Sequence, residues 1–246
     1  MRKCRSLRTF APPGCANRTS RRKLGSPMGS RLRFGLTMAA ALLATAGCAS
    51  PPMVDLPASS LSVKVTVFDT DSVPENNTIP IGLQFFSNGA LVALATSTSV
   101  ECNGTPMSQT DLGYLTRVPL VLPGGTYECH HQRLGVTSSV IVTVPNRPMI
   151  ITPTTGALLA RGANVPLSYA ADGGTAVTVT ASDGTSAWSG SPGQDTGVSV
   201  VDATSLHAGA GSIGVVRQYT YSPGTGGFQS VSVEYNCGSD LAIVWA

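Results

Sequence analysis

The chain of 246 residues is long enough for one large domain or two small ones, and only 12% of its residues are charged. Its 27 Gly and 17 Pro favour short strands joined by tight turns over long helices. Ten of the 16 Lys and Arg precede residue 48, where Asp and Glu are absent, which leaves six basic against 13 acidic residues in the remainder. This balance excludes the basic surface of a nucleic-acid-binding protein from that remainder.

Residues 34–47 form a neutral run, FGLTMAAALLATAG, that follows Arg31 and Arg33. The run is too short to cross ~30 Å of hydrocarbon as a helix, but it has the length of a signal-peptide core. It ends in Thr45-Ala46-Gly47-Cys48, which resembles the lipobox of bacterial lipoproteins. The resemblance implies that residues 1–47 are a signal peptide and that Cys48 is acylated and becomes the N-terminus.

Several features of this segment leave alternatives open. Thr45 stands where the lipobox usually has Leu, so an ordinary signal peptide in which Cys48 has no role is the competing interpretation. Met28 opens a compact signal of its own, and residues 20–24 (SRRKL) resemble a twin-arginine export motif. Ala49, rather than the Asp typical of inner-membrane retention, follows Cys48, which favours the outer membrane in a Gram-negative cell. The prolines and serines of 48–60 predict a flexible tether.

Apolar residues at every second position predict strands through the rest of the chain. The predicted strands of the first set are 61–68, 79–86, 90–95, 96–102, 117–122, 125–131 and 136–144; those of the second set are 164–170, 176–182, 197–203, 212–221, 228–236 and 241–246. Asn-Gly, Asp-Gly and Pro-Gly pairs between them predict turns. Three prolines in 145–153 cannot lie in a central strand, so a boundary is expected there. The prediction is an all-β chain of two small antiparallel β-sandwiches, 61–147 and 148–246.

Two short stretches resemble known sandwich families. Residues 151–170 (ITPTTGALLARGANVPLSYA) resemble the opening of bacterial immunoglobulin-like and fibronectin-like surface domains. Residues 125–129 (GTYEC) resemble the Tyr-x-Cys of an immunoglobulin F strand, although Cys102 lies closer to Cys129 than that family expects and the first domain lacks Trp. These resemblances imply an immunoglobulin-like architecture.

Three cysteines, Cys102, Cys129 and Cys237, remain after the signal and the lipidated residue. Thiols oxidise outside the cytoplasm, so a disulfide is expected, and three pairings are open. The local pair Cys102–Cys129 is the prediction. It leaves Cys237 unpaired in Asn236-Cys237-Gly238, just after a predicted strand, where a turn is expected.

Two groups of side chains suggest metal binding. Cys129-His130-His131 contains zinc and copper ligands, but neighbouring residues of a strand point to opposite faces, which favours a disulfide beside two surface histidines. Asp69, Asp71, Glu75 and Asn76 could bind calcium, although the same residue types form ordinary turns. We therefore predict no metal and no cofactor.

Catalytic motifs are absent: the sequence has no G-x-S-x-G, H-E-x-x-H or P-loop pattern. A polysaccharide-active enzyme would need paired carboxylates, for which the candidates are Asp172, Asp183, Asp195 and Asp202. Asp202, His207 and Ser212 lie within eleven residues of each other, as expected for a solvated loop. Arg217 interrupts an apolar strand, so it lies either on an exposed face or in a buried ion pair with Glu234.

The favoured function is a non-enzymatic binding, adhesion or structural module, held at the cell envelope by a lipid on Cys48. Its expected partners are the membrane and an envelope glycan or surface protein. The alternatives are a polysaccharide-active enzyme and a metal-binding protein that uses Cys129, His130 and His131. Because fold and location do not specify function, a binding surface must be sought in the structure.

Replacing Cys48 by Ala should release the protein from membranes, since stable anchoring needs the acyl chains that this cysteine would carry. The measurement is the distribution of parent and Cys48→Ala proteins between membrane and soluble fractions after a carbonate wash. A variant that stays with the membrane would contradict the lipobox interpretation.

Overall fold

A computed structural model describes residues 51–70 and 77–246. Within these ranges the only helix is one 3-10 turn, Ala58–Ser60, and none of the described elements is a helix long and apolar enough to cross a bilayer. The longer strands are β2 (Ser62–Asp69), β3 (Thr78–Ser87), β5 (Thr98–Cys102), β8 (Gly113–Pro119), β9 (Thr126–Arg133), β10 (Val136–Thr143), β13 (Asn164–Tyr169), β14 (Ala176–Ser182), β15 (Ala187–Gly193), β16 (Val198–Asp202), β17 (Gly209–Tyr221) and β18 (Ser230–Trp245). The shorter ones are β1 (Met53–Val54), β4 (Ala90–Leu94), β6 (Thr105–Pro106), β7 (Ser108–Thr110), β11 (Ile150–Thr152) and β12 (Leu158–Leu159). The predicted all-β class is confirmed.

A sheet of eleven described strands forms one layer of the molecule. Its main path is β1-β4-β3-β2-β18-β17-β14-β15, with β7, β8 and β12 attached at the sides. Burial alternates along β2, β14 and the first part of β3, so every second side chain faces an apolar core. This is the period-two pattern that the sequence shows.

The first sandwich forms where a four-stranded sheet, β10-β9-β5-β6, covers one half of the large sheet. Its core is made of residues from both layers, among them Val65, Ile81, Phe85, Tyr127 and Val140. Two sheets that share one apolar core are the defining feature of a β-sandwich.

The second sandwich forms where a three-stranded sheet, β11-β13-β16, covers the other half of the large sheet. Leu167 and Val201 from this sheet pack with Val179, Ile213 and Trp245 of the large sheet. The indole N–H of Trp245 donates to the Ser182 carbonyl oxygen at 3.0 Å, so its polar atom is satisfied inside the core.

Strand β18 takes part in both sandwiches. Its first half pairs in parallel with β2, and its residues from Val233 to Trp245 pair antiparallel with β17. Val233 and Tyr235 belong to the first core, whereas Ile243 and Trp245 belong to the second. The two strands predicted at 228–236 and 241–246 are thus one strand, which runs straight through Gly238. β18 lies after the predicted boundary at 147/148 but contributes to both cores. That 61–147 and 148–246 fold separately stays a prediction.

The segment between the sandwiches is fixed by polar contacts. The guanidinium of Arg147 forms an ion pair with the Asp69 carboxylate, and the Asn146 carbonyl oxygen accepts a hydrogen bond from Arg217 at 3.4 Å. Such contacts restrain a linker whose three prolines already limit its conformations.

The predicted tether is bound to the fold over part of its length. Ala93 donates its backbone N–H to the Pro52 carbonyl oxygen at 2.9 Å, and β1 continues this pairing in parallel with β4. Asp55 forms an ion pair with Arg133 at 2.5 Å, and Leu56 packs against the first core. The prediction of a tether through residue 60 is corrected: within the described residues, the chain is attached from Pro52 onward because it pairs with β4.

Tight turns join three hairpins of the first sandwich. Asn88-Gly89 and Asn103-Gly104 have positive φ at both residues, as their sequence predicts for two-residue hairpin turns. The β9–β10 turn has the same pattern but uses Leu134-Gly135, with φ of 49° at the leucine. A leucine is unusual in this left-handed region, because its Cβ approaches the following carbonyl oxygen.

Because β18 links the two cores, we expect damage to the first core to reduce the stability of the second. Ile81→Ala removes buried methyl groups far from the second core and should cost about 2–5 kcal/mol of unfolding free energy. Hydrogen exchange of the β14 amides measures the effect on the second core. A protection factor in β14 that does not change would show that the sandwiches unfold independently.

Candidate functional site

The outer face of the four-stranded sheet carries a shallow polar groove. Alternation along β9 points Cys129 and His131 into the core and His130 and Gln132 outward. Across the strands, Ser99, Gln132 and Thr137 form one row, and Glu101, His130 and Ser139 form the next. The groove is open to solvent and has a volume of about 260 Å³; it is lined by Ser99, Glu101, His130, Gln132 and Thr137.

One group of this groove is left available for a ligand. Within the described residues, neither an ion pair nor a hydrogen bond engages the Glu101 carboxylate. The Nδ1 of His130 also has no hydrogen-bond partner, but it is covered by the protein. The other ring nitrogen of His130 lies 3.6 Å from a carboxylate oxygen of Glu128. The groove contains hydroxyl, amide, imidazole and carboxylate groups but no Lys or Arg, so it suits a ligand with many hydroxyls better than an anion.

The predicted disulfide lies directly beneath the groove. Cys102 and Cys129 are opposite each other in the β5–β9 register, their Cα atoms are 4.0 Å apart, and they are bonded. Both side chains are buried in the first core. This confirms the predicted pairing, and the crosslink fixes the relative position of the two strands that carry Glu101 and His130.

The prediction that His130 and His131 both lie on the surface is wrong for His131. Its side chain is buried in the first core, where its ring lies 5.7 Å from those of Phe85 and Phe228. Neither ring nitrogen has a hydrogen-bond partner among the described residues, and burial lowers the pKa of the imidazole. His130 and His131 therefore point to opposite faces, as the strand geometry predicts, and cannot ligate one metal together.

Arg217 is completely buried, so its placement on an exposed face is wrong, and its partner is not Glu234, the alternative for a buried pair. Its Nε lies 2.8 Å from a carboxylate oxygen of Asp195, whereas Glu234 pairs with Lys64 at 2.7 Å. The guanidinium also donates to the carbonyl oxygen of Ala170. Because a buried charge needs a partner and further hydrogen bonds, Asp195 has a structural role at the junction of the two sandwiches.

Three of the four candidate carboxylates have lowered pKa values. Burial alone would raise the pKa of Asp195, but backbone N–H groups and the Arg217 charge lower it below its ordinary value. Backbone N–H groups of Ser186 and His207 lower the pKa of Asp183, and Thr204 lowers that of Asp202. Asp172 accepts a hydrogen bond from the Tyr219 hydroxyl at 2.9 Å. A general acid needs a raised pKa, so the three shifted groups are unsuited to that role.

His207 does belong to an Asp–His–Ser group, but its neighbours are Asp183 and Ser186 rather than Asp202 and Ser212. Asp183 lies 2.8 Å from Nδ1 of His207, and the Ser186 hydroxyl lies 3.4 Å from the same nitrogen. A proton relay requires the carboxylate and the nucleophile on opposite ring nitrogens. Asp202 instead accepts a hydrogen bond from the backbone of Thr204. This geometry describes a loop held by Asp183 rather than a nucleophile with its base.

Metal sites find no support in the described parts of the chain. Nowhere in 51–70 and 77–246 do three His, Cys, Asp or Glu side chains come together around a possible ion. Of the four residues considered as calcium ligands, Asp71, Glu75 and Asn76 lie outside the described residues, while Asp69 pairs with Arg147. Cys48 also lies outside them.

Cys237 is free but inaccessible. It is fully buried in the first core, and burial raises the pKa of its thiol to about 12. The prediction that it is unpaired is confirmed. Its expected position in a turn is wrong, because β18 continues through it as a central strand.

A comparison with protein-family models gives no match, and a comparison with curated proteins gives none. Among solved structures, this chain is similar to the Bacteroides ovatus mixed-linkage glucan utilization locus protein SGBP-B, at 12% identity and a TM-score of 0.24 over 76% of this chain. It spans only 60% of that structure's length. It is also similar to the fibronectin(III)-like modules of Clostridium thermocellum CbhA (15% identity, TM-score 0.22, 70% of this chain and 93% of that one). Domains 4 and 5 of the S-layer protein SbsC give 17% identity and a TM-score of 0.22 over 71% of this chain and 96% of that one.

The groove residues Ser99, Glu101, Gln132 and Thr137 were not among the sequence-based candidates. The period-two pattern around Cys129 does place His130 and Gln132 on the face opposite the core. The sequence does not show which strands lie beside β9, and so Glu101 and Thr137 could not be assigned to the same surface.

The position of His131 predicts a loss of stability in acid. Its folded-state pKa is lowered, so the unfolded chain takes up the proton first and stability falls as the pH drops below about 6.5. His131→Leu should remove this loss of stability in acid. It should also stabilise the fold by about 1 kcal/mol at neutral pH, because two unpartnered nitrogens leave the core.

The measurement is urea denaturation of parent, His131→Leu and His130→Gln proteins between pH 4 and pH 8. His130→Gln is the matched control on the outer face and should keep the parent's pH dependence. An unchanged pH dependence in His131→Leu would show that other groups cause the loss.

Proposed function

We propose that this protein is an envelope lipoprotein, anchored through Cys48, whose folded part is a non-enzymatic module that binds a hydroxyl-rich ligand such as an envelope glycan. The observation that carries the binding role is the polar groove on the outer face of the four-stranded sheet. The anchoring role rests on the lipobox resemblance at residues 45–48.

The chemistry of the groove supports this ligand class. A sugar presents neighbouring hydroxyls that both donate and accept hydrogen bonds, and such groups match the free carboxylate of Glu101 and the amide of Gln132. The groove volume of about 260 Å³ is close to the lower end of ligand pockets, which suits a single ring rather than a long chain. The disulfide beneath it holds the two strands in a fixed register, so the binding groups are preorganised.

An enzymatic role has less support from the geometry. A glycoside hydrolase needs two carboxyls about 5–10 Å apart, one of them with a raised pKa. The pKa values of Asp183, Asp195 and Asp202 are instead lowered, and hydrogen bonds hold each carboxylate in place. A metal-binding role through Cys129, His130 and His131 conflicts with the disulfide at Cys129 and the burial of His131.

The test is binding of the purified mature chain to an array of envelope glycans, followed by titration calorimetry with any glycan that binds. Glu101→Gln keeps the shape of the groove but replaces a carboxylate acceptor by an amide. It should weaken binding about tenfold, since a hydrogen bond to a charged group contributes about 1.5–3 kcal/mol.

Asp111→Asn is the matched control, because it removes one acidic charge from the β7–β8 turn, outside the groove. It should bind as the parent does. Equal affinities for Glu101→Gln and the parent would place the ligand elsewhere, and turnover of a glycan during the titration would favour the enzyme.

A further inference from the structure

We propose that one end of the first sandwich, which we name the hairpin end, rests on the lipid surface and contacts it through Leu134 and Val136. The hairpin end consists of the turns 88–89 and 134–135 and the loop 222–229. This inference rests on the proposed lipidation of Cys48, and it adds an orientation and a membrane-contacting surface to that proposal.

Strand register places these segments at the same end. Ser62 pairs with Phe86 and with Ser230, so the 88–89 turn and the 222–229 loop both lie beyond this end of the large sheet. Ser139 of β10 donates its backbone N–H to the Gly226 carbonyl oxygen at 3.1 Å, which brings the β9–β10 hairpin to the same loop. The segment that leads to the second sandwich lies at the opposite end, after Thr143.

The N-terminal segment approaches the same end. β1 runs parallel to β4, and β4 begins directly after the 88–89 turn, so the chain that precedes Met53 leads back toward this turn. The Asp55–Arg133 ion pair connects this segment to the β9–β10 hairpin, one residue before Leu134. Because the chain is already hydrogen-bonded at Pro52, the four residues to Cys48 can extend at most about 14 Å. An acyl group on Cys48 would therefore hold this end close to the membrane.

The β9–β10 turn is apolar where the two matching hairpin turns, 88–89 and 103–104, are polar. Leu134 is 74% exposed and Val136 is 66% exposed, and Met53 of the N-terminal segment is 62% exposed. The two matching turns use Asn-Gly, the residues that this backbone favours, whereas Leu134 occupies the left-handed region at a cost in strain. An exposed leucine in a strained turn is unfavourable in water, and contact with acyl chains would remove its side chain from water.

The charges at this end are compatible with an anionic membrane. The segments SNGA (87–90), RLGV (133–136) and SPGTGGFQ (222–229) contain neither Asp nor Glu. Asp55 is neutralised by Arg133. The surface therefore meets a negatively charged headgroup layer without repulsion from an unpaired carboxylate.

The experiment uses the mature lipidated chain in vesicles of phosphatidylethanolamine and phosphatidylglycerol, with or without brominated acyl chains. Leu134→Trp places a fluorophore at the hairpin end. Leu122→Trp is the matched control, because Leu122 is 76% exposed and lies in the turn next to Val144 at the opposite end. The parent chain gives the background of Trp188 and Trp245.

We expect the emission of Leu134→Trp to shift to shorter wavelength in vesicles and to be quenched by brominated lipid, with neither change in Leu122→Trp. Equal quenching at both positions, or none at position 134, overturns the inference. A second test uses Val136→Trp as the reporter and adds Leu134→Asn to it. Asn is favoured in this left-handed turn, so the fold stays intact. The loss of the leucine should reduce the quenching of the reporter. Quenching that persists undiminished in this variant also contradicts a role for Leu134.

Carbonate-wash fractionation of the same preparations separates this inference from the proposal on which it rests. A parent chain that does not fractionate with membranes, or that does so equally after Cys48→Ala, removes the lipid anchor and the inference with it. A chain that is released only by Cys48→Ala, but shows no quenching at position 134, keeps the anchor and overturns the orientation alone.

Discussion

The pairing of β18 with β17 is the interaction on which the rest of the structure depends. A strand of 16 residues extends about 50 Å, which is longer than one small sandwich core requires. Its side chains enter the first core at Val233 and the second at Ile243, while every residue between them has a register partner in β17. Two cores built on one continuous ladder cannot separate without breaking that ladder.

The place where the two cores meet is polar rather than apolar. Arg217 and Asp195 lie buried on one side of it, and Arg147 and Asp69 tie the linker to the end of β2 on the other. A buried ion pair contributes little net stability, but removal of one partner is costly. These contacts therefore specify the position of the linker and keep the two apolar clusters distinct, rather than adding to the size of either core.

In the four-stranded sheet, strand alternation alone divides the side chains between the buried core and the outer face. One face supplies Cys102, Cys129 and His131 to the core, and the other supplies Glu101 and His130 to the groove. With the hairpin end toward the membrane, this outer face lies along the side of the molecule, open to soluble or wall-bound ligands, and the second sandwich extends away from the lipid. The proposed anchor and the proposed binding surface are thus compatible in one orientation.

The sequence by itself determined the features that depend on local patterns. Period-two alternation predicted the main strands, Asn-Gly pairs predicted the turns at 88–89 and 103–104, and proximity predicted the Cys102–Cys129 disulfide. Only the tertiary structure decided which strands are neighbours, and with it the features that depend on long-range pairing. The parallel pairing of β2 with β18 joins residues more than 160 positions apart, and it buries Cys237 in a strand where a turn was predicted. Arg217 and His131 show the same limit, because alternation indicates that a side chain points to one face but not whether a second sheet covers that face.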